Sequence, residues 1–298
     1  MSQLPGISLA EWREHGREFK FCGHAIRFWT AGSAQAEPLL LIHGFPTSSW
    51  DWHHLWMPLA KRYRLIAADM LGFGDSAKPR GHRYSLLEQA DLQQALLSHL
   101  DIQAPLHVLA HDYGDSVAQE LLARHYQQRL QLASCVFLNG GLFPETHRPV
   151  LVQKLLLSPF GALFGRLFNR HKLASSFARI FGPQTQPSAA ALDDFWELIA
   201  VNNGPAVMHR LITYIPERRV QRERWLAAMQ RGEVPLRLID GGYDPISGAH
   251  MLARYRELIS DADTVLLDGI GHYPQVEAPT VVLQHYLEFR QRLAAEQA

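Results

Sequence analysis

Cysteine is scarce in this chain of 298 residues, which holds only Cys22 and Cys135. Two isolated cysteines build neither a disulfide framework nor a zinc site. Both fall in apolar stretches that read as strands, so buried free thiols are expected. Net charge is absent too: 29 Lys and Arg balance 29 Asp and Glu, and the isoelectric point is near 7.3. No overall basic field draws the chain to nucleic acid or to an anionic membrane. The N-terminus lacks a basic segment followed by an apolar one, so no signal peptide is expected and a cytoplasmic location is. An unbroken apolar run of spanning length is missing as well. The nearest approach is residues 150–168, "VLVQKLLLSPFGALFGRLF", which Lys154, Pro159 and Arg166 interrupt. It reads as a helical wall of an apolar pocket rather than an integral membrane segment, with a membrane-touching cap as the alternative.

What is present is enough apolar material for a sizeable core, 47% of residues. Short apolar runs alternate with amphipathic stretches. "KFCGHAIRFW" alternates around Gly23 and reads as a hairpin. "PLLLIHG", "YRLIAADMLGFG", "PLHVLAHD" and "LASCVFLNGG" read as buried strands. "SLLEQADLQQALLSHL" has helical spacing, and Ser85 with Glu88 carries a capping-box signature. Strands alternating with helices predict a mostly parallel sheet covered on both faces. The rhythm stops after Gly141. Residues 144–226 contain no strand signal and are rich in Leu, Phe and Arg, with Pro and Gly breaks. It resumes with "VPLRLIDGG", "ISGAHMLARYRELI", "DTVLLDG" and a closing helix. The simplest organisation is an α/β core of residues 1–143 and 227–298, split by a helical cap of residues 144–226. There are no internal repeats.

Sites in open parallel sheets form at the carboxyl ends of the strands. The polar residues just past those ends are His43, Asp69, Asp112, Asn139, Asp244 and His272. Asp112 stands out. In "LAHDYGDSV", Ala110 and Gly114 flank it at two residues on either side, on what reads as a strand-to-helix turn. That is the outline of a nucleophile elbow carrying an aspartate. A helix N-cap is the plainer role for such an aspartate. His272 is one of sixteen histidines, singled out by Gly269 and Gly271 and by its place after a strand.

With these motifs in order, the chain resembles α/β-hydrolases of the epoxide hydrolase and haloalkane dehalogenase group. "LLLIHGFPTSSWDWHHL", "LIAADMLGFGDSAKP", "AHDYG", "GGYDP" and "GIGHYPQVEAP" resemble that group's successive segments over nearly the whole length. The resemblance implies an α/β-hydrolase fold with a mostly parallel eight-stranded sheet and an inserted helical cap. It also implies a cofactor-independent and metal-independent hydrolase. Asp112 would be the nucleophile, His272 the base for ester hydrolysis, and Asp244 the acid that orients it. A carboxylate, with an ordinary pKa near 3.9, attacks already ionised and forms a covalent ester with an alkyl carbon. Asn139 occupies the rival acid position and carries no charge; Asp240 is a weaker rival. The N–H groups of Phe45 and Tyr113 would form the oxyanion hole. His43 and Asp69 are expected to tie loops together.

The resemblance also frames the leaving group. Haloalkane dehalogenases hold halide with side-chain N–H donors where this chain has Tyr113 and Phe45. The epoxide hydrolases protonate an alkoxide with a pair of cap tyrosines, and Tyr214 in "LITYIPERR" resembles the second. No tyrosine lies between 127 and 213, so His147, His171 and His209 are the candidates for the other donor. The expectation is an enzyme that opens a small, apolar epoxide to a diol with water, as a monomer or homodimer. The alternatives are dehalogenation or lactone opening through the same ester, or a non-catalytic ligand-binding module.

Overall fold

A computed structural model describes residues 4–296 of the chain. Helix α1 (Leu9–Glu14) precedes a hairpin of β1 (Arg17–Phe21) and β2 (His24–Ala31). Strands β3 (Pro38–Ile42) and β4 (Arg64–Ala68) follow, with α2 (Trp56–Ala60) between them. Then come α3 (Leu86–His99), β5 (Leu106–His111), α4 (Tyr113–His125) and β6 (Leu132–Leu138). Six helices intervene before the next strand: α5 (Leu151–Leu157), α6 (Gly161–Arg166), α7 (Arg170–Ile180), α8 (Ala189–Ala200), α9 (Met208–Leu211) and α10 (Tyr214–Gln230). The core closes with β7 (Leu236–Gly241), α11 (Ala249–Leu258), β8 (Thr264–Leu267), α12 (Pro274–Glu277) and α13 (Pro279–Glu296).

The eight strands form one sheet in the order β1-β2-β4-β3-β5-β6-β7-β8. The pairings β1–β2 and β2–β4 are antiparallel, and the other five are parallel. The central strands are buried on both faces, which is why β3 and β5 read as continuous apolar runs rather than alternating ones. Each fully buried leucine of β3 contributes about 1.5–3 kcal/mol relative to exposure.

Two local expectations are corrected. Cys22 is exposed, whereas Cys135 is buried as expected. Cys22 and Gly23 are the two central residues of the hairpin turn, with φ of 48° and 81°. A two-residue turn with both φ positive points its side chains away from the sheet. The capping box at α3 is half made. Ser85 Oγ accepts the Glu88 N–H at 3.1 Å, but the Glu88 carboxylate is taken by His82 Nε2 at 2.7 Å.

Helices α5–α10 bridge β6 and β7 without a strand, and α10 lies against α4. The expected junction at residue 226 falls inside α10. Lys78 ties this helical layer to the core: its buried ammonium donates to the carbonyls of Leu198, Ile199 and Val201, where α8 ends. Such carbonyls at a helix C-terminus are unpaired within the helix and attract a cation. Among the described residues, no helix is long and apolar enough to cross a membrane.

Candidate active site

Asp112 sits between β5 and α4 with φ 48° and ψ −104°. This is an uncommon conformation for a non-glycine residue, worth roughly 1–3 kcal/mol of strain. The packing that holds it explains the motif. A Cβ on Gly114 would lie 2.4 Å from the Ile42 carbonyl oxygen and 2.7 Å from that of His43. Gly44 is needed for the same close approach, since a Cβ there would lie 3.0 Å from Asp112 Cβ. The elbow can press against the end of β3 only because both positions lack a side chain.

The two carboxylate oxygens of Asp112 have different surroundings. Oδ2 accepts the Phe45 N–H at 3.0 Å. Oδ1 faces two cations, 3.9 Å from His272 Nε2 and 3.7 Å from Arg218 Nη2. Burial alone would push this carboxyl up, but His272 and Arg218, followed by the Phe45 N–H, bring it below its ordinary value. Tyr113 opens α4, where helix geometry leaves the first N–H groups without a partner in the helix.

His272 lies on the loop between β8 and α12. Its Nδ1–H donates to Asp244 Oδ2 at 2.8 Å. Asp244 also accepts the N–H of Ile246 at 2.8 Å, and the N–H of Ser247 at 3.1 Å together with its hydroxyl at 2.9 Å. Asn139 Nδ2 donates to the same carboxylate at 3.0 Å, so the residue at the rival acid position braces Asp244. Asp240 makes no bond to His272; it accepts the Asn139 N–H at 2.8 Å, and burial pushes it well above the carboxylate range. Glu277 holds the histidine loop by accepting the N–H of Gly271 at 2.8 Å and of Tyr273 at 2.9 Å. It also accepts the Gly182 N–H at 2.7 Å, joining that loop to the helical layer.

Burial disfavours the imidazolium of His272, yet Asp244 and then Asp112 outweigh it and raise the pKa to about 9. A folded pKa above the free value near 6.5 stabilises the fold through the bound proton. That contribution is complete below pH 6.5 and is lost as pH rises through 9. The difference in unfolding free energy between the wild type and His272→Gln is therefore expected to shrink by about 3 kcal/mol from pH 6 to pH 10. Denaturant titrations across that range check this, and a constant difference would contradict it.

Tyr214, the first residue of α10, is buried beside the elbow. Its ring centroid is 4.9 Å from that of Tyr113 and 5.9 Å from that of Phe45. Its hydroxyl accepts from Gln153 Nε2 at 3.3 Å. Burial, then the Asp112 charge, push the phenol up, so it keeps its proton. Of the three histidines considered as a second donor, His147 is the one brought to the site. Both its ring nitrogens are buried without a partner among the described residues. Burial, then the Arg218 cation, lower its pKa to about 3, and it feels the charges of Asp112 and His272 as well. His171 is exposed on α7, and His209 lies on α9 with its Cβ packed near Gly161. His43 and Asp69 tie loops: His43 Nε2 accepts the Met70 N–H at 3.0 Å, and Asp69 accepts the N–H groups of Ser49 at 2.9 Å and Asp75 at 2.7 Å.

Arg218 is the residue that the sequence reading missed. It is 1% exposed. Its Nε donates to Ser116 Oγ at 2.6 Å and its Nη2 to the Asp112 carbonyl at 2.9 Å. The guanidinium also lies 4.5 Å from the Tyr214 ring centroid. The spacing of Tyr214 and Arg218, four apart on one helix, was the available signal.

A cavity of about 360 Å³ reaches Phe45 and His272 from the helical layer, with Leu156, Phe168, Phe177 and Met208 among its apolar walls. A larger open depression of about 730 Å³ involves Ile102, Leu106 and Gln131, where β5 and β6 begin. It lies at the wrong ends of the strands for a site of this fold.

Comparison with known proteins agrees with this architecture. Residues 37–279 match the family model described as alpha/beta hydrolase fold. The chain is 41% identical over 296 residues to mesoderm-specific transcript protein of Mus musculus, covering 95% of this chain and 88% of that protein. Among solved structures it resembles the haloalkane dehalogenase DbeA from Bradyrhizobium elkani, with a TM-score of 0.80 and 20% identity, covering 94% of this chain and 99% of that one. It also resembles the epoxide hydrolase CorEH, with a TM-score of 0.73 and 21% identity over 93% of this chain and 99% of that one. With its family match, eight-stranded sheet and elbow, the chain belongs to the alpha/beta hydrolase fold family.

Proposed function

We propose that this protein is a hydrolase that opens a small apolar epoxide to a diol through a covalent ester on Asp112. The observation that carries the reading is the asymmetric setting of the Asp112 carboxylate. One oxygen is held by a backbone N–H, and the other faces His272 and Arg218. In the first step Asp112 Oδ1 attacks a ring carbon and the carbon–oxygen bond of the epoxide breaks. Tyr214, with neutral His147 beside the same site, binds the departing oxygen, and the phenol protonates it. Esterification removes the Asp112 charge, one of the two anions that hold the proton on His272. The imidazolium then gives up its proton, Tyr214 regains one, and His272 becomes a base.

In the second step His272 takes a proton from water, which attacks the ester carbonyl. The oxyanion forms at the oxygen held by Phe45, with the Tyr113 N–H as second donor. Collapse releases the diol and restores the carboxylate and the imidazolium. The atoms balance as epoxide plus water to diol.

The test is to trap the ester. His272→Gln, incubated with a set of terminal alkyl and aryl epoxides, is expected to gain the mass of one epoxide, on the peptide containing Asp112. Unmodified protein, or label on another residue, would overturn the reading.

A further inference from the structure

The helical layer has a charge imbalance that the zero total conceals. Residues 146–192 contain Arg148, Lys154, Arg166, Arg170, Lys172 and Arg179 and no Asp or Glu, in a chain where the two signs are equal. Arg170 pairs with Asp193. The other five are exposed and form no ion pair among the described residues.

The same segment concentrates exposed apolar side chains. Among the described residues nine large hydrophobic side chains stand exposed, and five of them lie within 151–167. Phe160 is 68% exposed, Leu151 61%, Leu163 56% and Leu167 50%. Phe160 and Leu167, which flank α6 at its two ends, are exposed together with Leu163 within it, while Gly161 and Gly165 are buried. On α5, Leu151 and Lys154 share the outward side, while Gln153 and Leu156 are buried.

The cavity over Phe45 and His272 comes out at this surface. Its lining includes the exposed residues Leu151, Lys172, Ser175 and Arg179. Large exposed apolar side chains interspersed in sequence with cations that form no ion pair (Lys172 donates to the Leu167 carbonyl at 2.6 Å) are the composition of a surface that lies in the headgroup region of an anionic bilayer.

We propose that α5, α6 and the exposed side of α7 form a peripheral docking surface for an anionic lipid membrane, with the cavity mouth opening onto it. The outward apolar side chains enter the headgroup boundary, and Lys154, Arg166, Lys172 and Arg179 meet the lipid phosphates. An apolar substrate dissolved in the bilayer then reaches the cavity without crossing bulk water. The docking stands apart from the epoxide reading, because its test measures binding alone.

The experiment is co-sedimentation of the full chain with vesicles of phosphatidylcholine containing 30% phosphatidylglycerol, beside vesicles of phosphatidylcholine alone (~30% is a working composition in the anionic range). Binding is expected to the anionic vesicles and to weaken as salt is raised. Two variants are compared after unfolding curves confirm that they fold: Phe160→Ser with Leu163→Ser, and Lys154→Glu with Arg166→Glu. Each is expected to lower the partition coefficient about tenfold or more. Wild-type protein that stays in the supernatant at low salt would overturn the proposal. Binding unchanged in both variants would do the same. So would a dimer that dissociates in the Phe160/Leu163 variant without any vesicle binding, since a second copy would then be the occupant.

Discussion

Asp112→Asn is expected to lower turnover of an epoxide by about 10⁴-fold or more, as loss of a nucleophile does in comparable sites. The amide oxygen carries no charge and is a far weaker nucleophile than the carboxylate. The fold should survive. Asparagine tolerates positive φ better than most residues, and the Phe45 N–H keeps an acceptor. The substitution also deletes an anion beside His272, so the imidazole is expected to titrate lower than in the wild type, as nuclear magnetic resonance would register. Turnover within tenfold of the wild type would exclude Asp112 as the nucleophile. Retained structure with lost turnover and a lowered His272 pKa is the combination that the proposed mechanism requires.

Arg218→Met is expected to destabilise the protein by about 3–5 kcal/mol, the usual cost of removing one partner of a buried charge pair. Asp112 and Asp244 are held ionised by two buried cations, His272 and Arg218. Without Arg218, one buried carboxylate loses its counter-charge. The Ser116 hydroxyl loses its donor at the same time, and the Asp112 carbonyl keeps only the Asp115 N–H. The Asp112 pKa should rise, so the acid limb of any activity profile should move up. Arg218→Lys separates charge from geometry: one ammonium restores the cation but not the fork that reaches three acceptors. It should recover part of the stability and less of the rate. Denaturant unfolding and pH–rate profiles give both readouts. A loss below about 1 kcal/mol for Arg218→Met would mean that the guanidinium is not part of the charge balance.

The strands and the triad candidates were legible because their signals are local. Buried parallel strands appear as runs such as "PLLLI" and "PLHVLAH", and the chemistry follows directly at their ends. Glycine marked the elbow because the approach of β3 to Asp112 leaves no room for a Cβ at 44 or 114. Arg218 was not legible. It is one of 29 basic residues, and its role depends on α10 lying across α4, a contact made by residues about a hundred positions apart. The three candidate histidines were equivalent in sequence, and packing alone brings His147 to the elbow while leaving His171 in solvent. The strand-like context of Cys22 concealed a turn, because "KFCGH" satisfies the alternating pattern up to the residue that reverses the chain. The balanced total charge likewise concealed the basic stretch at 146–192.

By itself, then, the sequence determined the alternation of strands and helices, the elbow with its aspartate, and the order of Asp112, Asp244 and His272. Each of these is set by neighbours within a few residues, through hydrophobic period and backbone sterics. The tertiary structure alone decided which charges share a buried space and which side chains remain outside. Electrostatic energy depends on distance and burial, and both are properties of the packed chain rather than of residue spacing.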